Sequence, residues 1–376
     1  MGDVCDVYDG IHHTPDYQDN GIMFLSVENI STLTSDKFVS RDFFEQNYKI
    51  FPEKGDILLT RIGNVGTPNV VESTDKLAYY VSLALLKAPK INSYFLCNLI
   101  CTQEFKKELH RKTLTTAIPQ KINKDEIRKI TFFDSTSSDE RKKIGSLLEK
   151  INFTITLHEE KKQQLKCLKS ALLQKMFAYK NKSGDPDVRF KGFDERWERH
   201  MLNDLAIFNP KGTLPTSFEY VDLGSVIGVE MISHKTISKF DAPSRAQRLA
   251  QVGDLFYQTV RPYQQNNYLF DNKDNAYVFS TGYAQLRPLI DGYFLLCLVQ
   301  TKSFVRKVMN ACTGTSYPAI NSQDLAQIGV NIPINSKEQR LIGNLYKVID
   351  NLIMLYQQKL DDLNTIKQSL LQKMFI

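Results

Sequence analysis

The last part of this chain repeats a stretch from its middle. Residues 140–177 and 338–375 align without a gap at a constant shift of 198 positions, and sixteen of the 38 aligned residues are identical. The six-residue run Leu-Leu-Gln-Lys-Met-Phe closes both copies. Each copy follows a longer segment, so the chain consists of two similar halves. Such halves predict a pseudo-twofold molecule that presents two related modules.

Both copies of the repeat predict a long helix. Apolar residues recur mostly at steps of three and four, neither copy contains proline, and a serine stands two residues before each copy. A helix of this length extends about 57 Å at about 1.5 Å per residue. The apolar seams predict that the two helices pair as an antiparallel coiled coil; the alternative is two ordinary core helices in separate domains. The seam residues, which are also candidates for docking partner proteins, are Ile144, Leu148, Ile151, Ile155, Leu165, Leu172, Ile342, Leu345, Ile349, Leu352, Leu363 and Leu370.

The segments before the two helices are diverged copies of each other. Gly55-Asp56 lies opposite Gly253-Asp254, and both segments predict short strands, then a helix, then a loop and a last strand. We therefore expect a mixed α/β (α+β) fold. The expected parts are a globular domain at 1–139, a central spacer helix at 140–178, a linker with a second domain at 179–337, and a terminal spacer helix at 338–376.

The composition is that of an ordinary globular protein. The net charge of +6 is compatible with a polyanionic partner but does not require one. No apolar run is long enough to cross a bilayer and the first residues form no signal peptide, so we expect a cytoplasmic protein. The six cysteines include no Cys-x-x-Cys pair, which predicts neither a metal site nor a disulfide framework.

The sequence contains none of the short motifs that mark common catalytic sites. It has no Gly-x-x-x-x-Gly-Lys-Ser/Thr phosphate loop, no Asn/Asp-Pro-Pro-Tyr/Phe methyltransferase motif and no His-Glu-x-x-His metal motif. We therefore expect no catalytic residues and no cofactor.

Four features together resemble one known family. They are the duplicated segment ending in Leu-Leu-Gln-Lys-Met-Phe, the run from Val188 to Phe193 followed by Trp197, the run Gly55-Asp56-Ile57-Leu58, and residues 21–30. In the order in which they occur along the chain, these features resemble the specificity subunit of a type I restriction-modification system, over essentially the whole chain. The first half begins at Met1-Gly2-Asp3-Val4 without a counterpart of the aromatic run around Trp197, which we interpret as a truncated or alternative start.

The resemblance implies a non-catalytic subunit that recognises DNA. It implies that the two globular domains are target-recognition domains, each reading one half of a split double-stranded target, and that the helices separate them. It also implies two partners: methyltransferase (modification) subunits, in two copies, and a restriction subunit that translocates and cleaves DNA. Adenine methylation and ATP-dependent cleavage belong to those partners.

Candidate DNA-contacting residues lie where the two halves diverge most. Arginine can pair bidentately with guanine, asparagine or glutamine can pair with adenine, and hydroxyl groups can bind phosphates. In the first half these residues lie in the run 61–67, for which a plain glycine-rich turn is the alternative interpretation. For the threonine stretches the alternative is a turn at the end of a helix. The candidates are Arg61, Asn64 and Thr67, then Thr115 and Thr116, then Arg261, Tyr263, Gln264, Gln265 and Asn266, and finally Thr315.

Two modules on one face of a duplex must stand about one helical turn apart, roughly 34 Å, or a multiple of it. We expect the paired helices to set this distance. Two other functions remain open from the sequence. One is an independent DNA-binding protein, such as a regulator or an orphan specificity chain, and the other is the recognition part of a fused methyltransferase-nuclease.

Overall fold

The computed structural model describes residues 1–132, 137–177, 186–273 and 276–375. The chain forms two compact units. Unit 1 comprises Met1–Glu160 and Gln358–Ile376, and unit 2 comprises Lys161–Gln357. Each long helix is therefore divided between the units, whereas the expected division treats each helix as a segment of its own. In the described part of the chain, no helix is long and apolar enough to span a membrane.

Unit 1 combines short strands with helices. Its strands are β1 (Asp6–Asp9), β2 (Ile22–Leu25), β3 (Phe38–Val39), β4 (Ile57–Thr60), β5 (Pro68–Val70), β6 (Leu77–Tyr79) and β7 (Leu83–Lys87). Its helices are α1 (Arg41–Asn47), α2 (Ser93–Ile100), α3 (Gln103–Lys112), α4 (Lys124–Arg128), the first part of α5 (Ser138–Met176) and the second part of α10 (Ser336–Met374).

Unit 2 has the same kind of composition. Its strands are β8 (Glu198–Met201), β9 (Ala206–Phe208), β10 (Ser217–Val221), β11 (Val226–Ile227), β12 (Glu230–Met231), β13 (Lys235–Ser238), β14 (Ala246–Leu249), β15 (Leu255–Gln258), β16 (Tyr268–Leu269), β17 (Tyr277–Ser280), β18 (Tyr283–Pro288) and β19 (Gly329–Ile332). Its helices are the second part of α5, α6 (Leu202–Leu205), α7 (Gly292–Val299), α8 (Lys302–Ala311), α9 (Ser322–Ala326) and the first part of α10 (Ser336–Met374).

The main sheets of the two units share one topology. The antiparallel sheet of unit 1 has the order β1-β7-β4-β5, and that of unit 2 has the corresponding order β9-β18-β15-β16. A second sheet in each unit pairs its first strand with a later strand in parallel, β2 with β6 and β10 with β17. The divergent sequences thus form two copies of one α+β domain, and the expected mixed α/β class is confirmed.

The helices begin at matched caps. The side chain of Asn92 accepts a hydrogen bond from the amide of Phe95 at the start of α2, and Asp291 does the same for Phe294 at the start of α7. Thr102 and Thr301 cap α3 and α8 in the same way. These caps satisfy amides that an α-helix leaves unpaired at its start. The second half thus repeats the helix boundaries of the first.

The two long helices pair antiparallel within each unit. In unit 2, Lys169 Nζ lies 2.5 Å from Asp350 Oδ1, and Lys162 Nζ lies 2.5 Å from Gln357 Oε1. The partner number rises on α10 as it falls on α5, which defines an antiparallel register. In unit 1, Leu148 and Leu371 share one hydrophobic core. The predicted antiparallel pairing is therefore confirmed.

The repeated hexapeptide anchors each helix end in a domain core. In unit 2, the ring of Phe177 packs against Phe294 and Trp197 at centroid distances of 5.5 and 5.9 Å. In unit 1, the ring of Phe375 packs against Phe95 at 5.0 Å. Both copies pack the same phenylalanine against the corresponding helix, α7 or α2, with Phe177 buried and Phe375 half-buried. This shared contact gives a physical reason for the identity of the two hexapeptides.

Candidate nucleic-acid interface

Two loops meet in each unit. The first, which we call the strand loop, follows β4 or β15 and comprises residues 61–67 in unit 1 and 259–267 in unit 2. The second, the threonine loop, follows α3 or α8 and comprises residues 113–121 and 313–319. The structure thus brings the predicted arginine and amide residues next to the predicted threonines within each domain.

The same main-chain hydrogen bonds join the loops in both units. In unit 1, Gly63 N donates to Gln120 O at 2.8 Å, and Ile122 N donates to Arg61 O at 2.9 Å. In unit 2, Arg261 N donates to Pro318 O at 2.8 Å, and Ile320 N donates to Thr259 O at 3.0 Å. By this pattern Arg261 corresponds to Gly63, and Arg61 corresponds to Thr259. The two candidate arginines are therefore not equivalent.

Arg61 lies inside unit 1. Its side chain forms an ion pair with Asp9 and donates from Nε to Ile122 O at 3.1 Å. The residue is only 6% exposed, and burial lowers the pKa of its guanidinium group from the usual value. A base edge cannot reach this group without breaking the ion pair. The structure therefore indicates that Arg61 stabilises the strand loop.

Two of the remaining candidates of unit 1, Asn64 and Thr67, border a basic cleft. Gly63 and Gly66 have φ angles of 83° and 98°, which glycine adopts without strain, so this strand loop is a glycine-based turn. The turn places exposed Asn64 and half-buried Thr67 at the edge of a cleft of about 810 Å³, whose other wall includes Lys106 and Lys107 of α3. Thr115 and Thr116 are exposed on the neighbouring threonine loop.

The amide side chains of the unit 2 strand loop are used within the protein. Gln264 Oε1 accepts from Gln258 Nε2 at 2.8 Å, and Gln265 Nε2 donates to Gln300 O at 2.7 Å. Asn266 Oδ1 accepts from Gly228 N at 2.9 Å. These amides fix the shape of the loop.

Other side chains of the same loops face outward. Tyr263 is 50% exposed, and Thr315 is exposed on the threonine loop. The guanidinium carbon of Arg261 lies 4.4 Å from the ring centroid of Tyr317, which is 65% exposed. Tyr317 is not among the residues predicted from the sequence, although an aromatic residue beside a threonine stretch is a detectable signal.

The predicted seam residues of the long helices mostly face inward. Ile144, Leu148, Ile342 and Ile349 are buried. Leu352 is exposed, and the others are half-buried: Ile151, Ile155, Leu165, Leu172, Leu345, Leu363 and Leu370. Large apolar side chains at other positions of α5 and α10 are more exposed, among them Phe153, Leu157, Val348 and Ile366.

The described residues hold no group of three or more histidine, cysteine or acidic side chains that could bind a metal ion. All six cysteines are free thiols.

Comparison with known proteins finds a known domain in the second half of the chain. The type I restriction modification DNA specificity domain matches residues 195–365. The chain is similar in fold to the type I restriction-modification system S subunit of M. genitalium, with a TM-score of 0.69, 14% identity, and coverage of 100% of this chain and 94% of that one. It also matches the HsdS subunit of Thermoanaerobacter tengcongensis, with a TM-score of 0.41, 16% identity, and coverage of 100% and 95%. The comparison of folds rests on the first structure. A search of curated proteins found no relative.

The specificity-domain match covers most of unit 2, and unit 1 repeats the sheet topology of unit 2. The M. genitalium structure has this fold over the full length of the chain. Residues 195–365 therefore belong to the DNA specificity domain of type I restriction-modification systems, and the whole chain has the fold of the M. genitalium S subunit.

Proposed function

We propose that this specificity subunit reads a split double-stranded DNA target, one half-site with each unit. In this proposal residues 1–139 and 179–337 contain the two recognition domains. One observation carries it: both units join a strand loop to a threonine loop through the same main-chain hydrogen bonds, while the side chains on those loops differ. A shared frame with different side chains suits two readers of different sequences.

The charge around the loops supports DNA as the ligand. In unit 1, Lys106 and Lys107 border the same cleft as Asn64. In unit 2, Lys302 and Arg306 of α8 border a cleft of about 730 Å³ together with Gln264. Contacts to phosphates set the position of a protein on a duplex, and contacts to base edges select the sequence. Basic side chains border the loops of each unit, and Asn64 in unit 1 and Arg261 in unit 2 are the candidates for base contacts.

The long helices offer docking surfaces for partner proteins. Phe153 on α5 is 69% exposed and Val348 on α10 is 56% exposed. Covering such exposed apolar side chains with a partner stabilises the complex by about 25 cal/mol per Å² of buried apolar area. Because each repeat carries such residues, we propose that two methyltransferase subunits dock, one on each repeat. An independent DNA-binding protein would not need these surfaces.

We propose that a restriction subunit joins this assembly through its methyltransferase subunits. Sequence recognition belongs to this chain, and adenine methylation and DNA cleavage belong to the partners. We place the complex in the cytoplasm.

Selection from a random DNA pool tests the split target. The full chain, in complex with its methyltransferase subunits, is incubated with duplexes of random sequence, and the bound fraction is sequenced. We expect two short conserved blocks separated by a gap of constant length and free composition. The methyltransferase subunits alone serve as the control and should enrich neither block.

A single continuous block or a palindrome would contradict the proposal. Mapping of methylated adenines in a genome that expresses the same complex provides a second readout, and it should return the same two blocks at the same gap.

A further inference from the structure

The amides of the unit 2 strand loop are poorly placed to read adenine. Bidentate recognition of adenine uses both the carbonyl oxygen and the amino group of one amide. Gln264 and Asn266 already commit their side-chain oxygens, and Gln265 commits its amino group. Gln300 Nε2 in turn donates to the main-chain oxygen of Gln265 at 2.9 Å, so the two glutamines hold each other through side-chain to main-chain hydrogen bonds. These residues therefore build the loop.

Arg261 has the opposite character. Among the described residues, none forms a hydrogen bond or an ion pair with its guanidinium group, which lies over the ring of Tyr317 at 4.4 Å. Stacking occupies the flat faces of a guanidinium group and leaves its in-plane N–H donors available.

The backbone around Arg261 is held in an unusual conformation. Arg261 and Gln265 have φ angles of 53° and 57°, which residues other than glycine seldom adopt. Two hydrogen bonds maintain this shape: Arg261 N donates to Pro318 O at 2.8 Å, and Gln264 N donates to Arg261 O at 3.0 Å. Strained backbone of this kind is often retained where it orients a functional side chain.

We propose that Arg261 reads a guanine in the half-site of unit 2 and that Tyr317 is its positioning residue. Two parallel N–H donors of the guanidinium group match the O6 and N7 acceptors of guanine in the major groove. The ring of Tyr317 restricts the rotation of the guanidinium group before DNA binds. This inference rests on the proposed reading of a split target and deepens it by naming one base and its reader.

The effect is confined to one half-site. By the hydrogen-bond pattern, Gly63 stands at the position of Arg261 in unit 1 and Pro119 at the position of Tyr317. Gly63 has no guanidinium group and Pro119 has no aromatic ring, so these two positions cannot form the pair that Arg261 and Tyr317 form. Arg61 is held in an ion pair with Asp9. The half-site of unit 1 is therefore an internal reference for every variant of Arg261 or Tyr317.

Four proteins are compared in the random-pool selection: the unchanged chain, Arg261→Lys, Tyr317→Phe and Tyr317→Ala, each with the same methyltransferase subunits. We expect an invariant G·C pair in one half-site of the unchanged protein. Arg261→Lys keeps the charge but loses the planar fork, so the preference at that pair should fall by about tenfold or more. Tyr317→Phe keeps the ring and should preserve the preference, whereas Tyr317→Ala should relax it at the same pair.

Three results would overturn the proposal. One is an Arg261→Lys variant that binds all sequences equally weakly with every preference intact, which would indicate a phosphate contact. The second is a change at a pair other than G·C, and the third is a Tyr317→Ala variant with the unchanged selectivity. Unaltered preferences at the other positions of the unit 2 half-site show that unit 2 of each variant is folded, and the half-site of unit 1 should be unchanged throughout. If the unchanged protein selects no split target, the proposed function fails as well, and the two failures are thereby distinguished.

Discussion

Glu338, the first acidic residue of the second repeat, carries a buried charge. It is 1% exposed, and its two carboxylate oxygens accept from Arg189 Nε and Nη2 at 2.9 and 2.8 Å. Arg189 Nη1 also donates to Glu195 O at 2.7 Å. This arginine therefore fixes the chain that leads to Trp197 onto the first turn of α10, where a bidentate ion pair adds geometric specificity.

Removal of Arg189 should destabilise unit 2. The Arg189→Ala variant leaves the Glu338 carboxylate buried without its main counter-charge, which costs about 3–5 kcal/mol. Trp197, the single tryptophan of the chain, is buried in unit 2, so its fluorescence reports the unfolding of this unit. We expect urea unfolding followed by this fluorescence to move to a clearly lower midpoint.

Lys337→Ala is the matched control, because Lys337 is exposed on the same helical turn. Its midpoint should stay within the range of surface substitutions, about 0.5 kcal/mol. Equal midpoints for the two variants would mean that the ion pair contributes nothing to the stability of unit 2.

At the scale of the helices, one glycine in each repeat permits a close approach. The capping oxygen of Asn92 lies against Gly145, and that of Asp291 lies against Gly343. A Cβ atom at Gly343 would also come within 3.0 Å of Phe294 N. Glycine is an unfavourable residue inside a helix, so its presence at both equivalent positions requires a packing reason. The cap of the neighbouring helix supplies that reason.

The Gly343→Ala variant should be less stable despite the better helix propensity of alanine. Propensity favours alanine by about 1 kcal/mol, and forcing an extra methyl group into a packed site costs about 1–3 kcal/mol. We therefore expect a net destabilisation of about 1 kcal/mol in urea unfolding of unit 2. Asn344→Ala, at the exposed next position, should be neutral or slightly stabilising. A Gly343→Ala protein more stable than the unchanged chain would contradict the packing argument.

At the scale of the whole molecule, α5 and α10 each contain 39 residues and each contributes to both units. Helices of this length extend about 58 Å at about 1.5 Å per residue. Because each helix is continuous from one unit into the other, we propose that the length of the pair sets the gap between the two half-sites.

Insertion of seven helical residues into each helix tests this proposal. The insertions follow Glu160 in α5 and precede Gln358 in α10, where the compact units divide. Seven residues add about 10.5 Å of helix, and one base pair spans about 3.4 Å, so the gap should lengthen by about three base pairs. In the random-pool selection both half-site sequences should stay the same. A protein with altered half-sites and the original gap would exclude the helices as the spacer.

The architecture of this protein is predictable from its sequence. The constant shift of 198 positions, the three- and four-residue spacing of apolar side chains and the repeated hexapeptide predicted two related domains and an antiparallel helix pair. These signals are local or repeat at a fixed interval, so they can be read without knowledge of long-range contacts. The family resemblance followed from the same repeated features.

Which loop residues face solvent depends on long-range contacts, and these are visible only in the folded protein. Arg61 and Arg261 are the same residue type in corresponding loops, yet Arg61 pairs with Asp9, 52 positions away, and Arg261 stacks on Tyr317. Gln265 is engaged by Gln300, 35 positions away. Whether a polar side chain is committed or available depends on such distant partners, because a buried polar group must be satisfied wherever the fold places it. No local pattern encodes those partners.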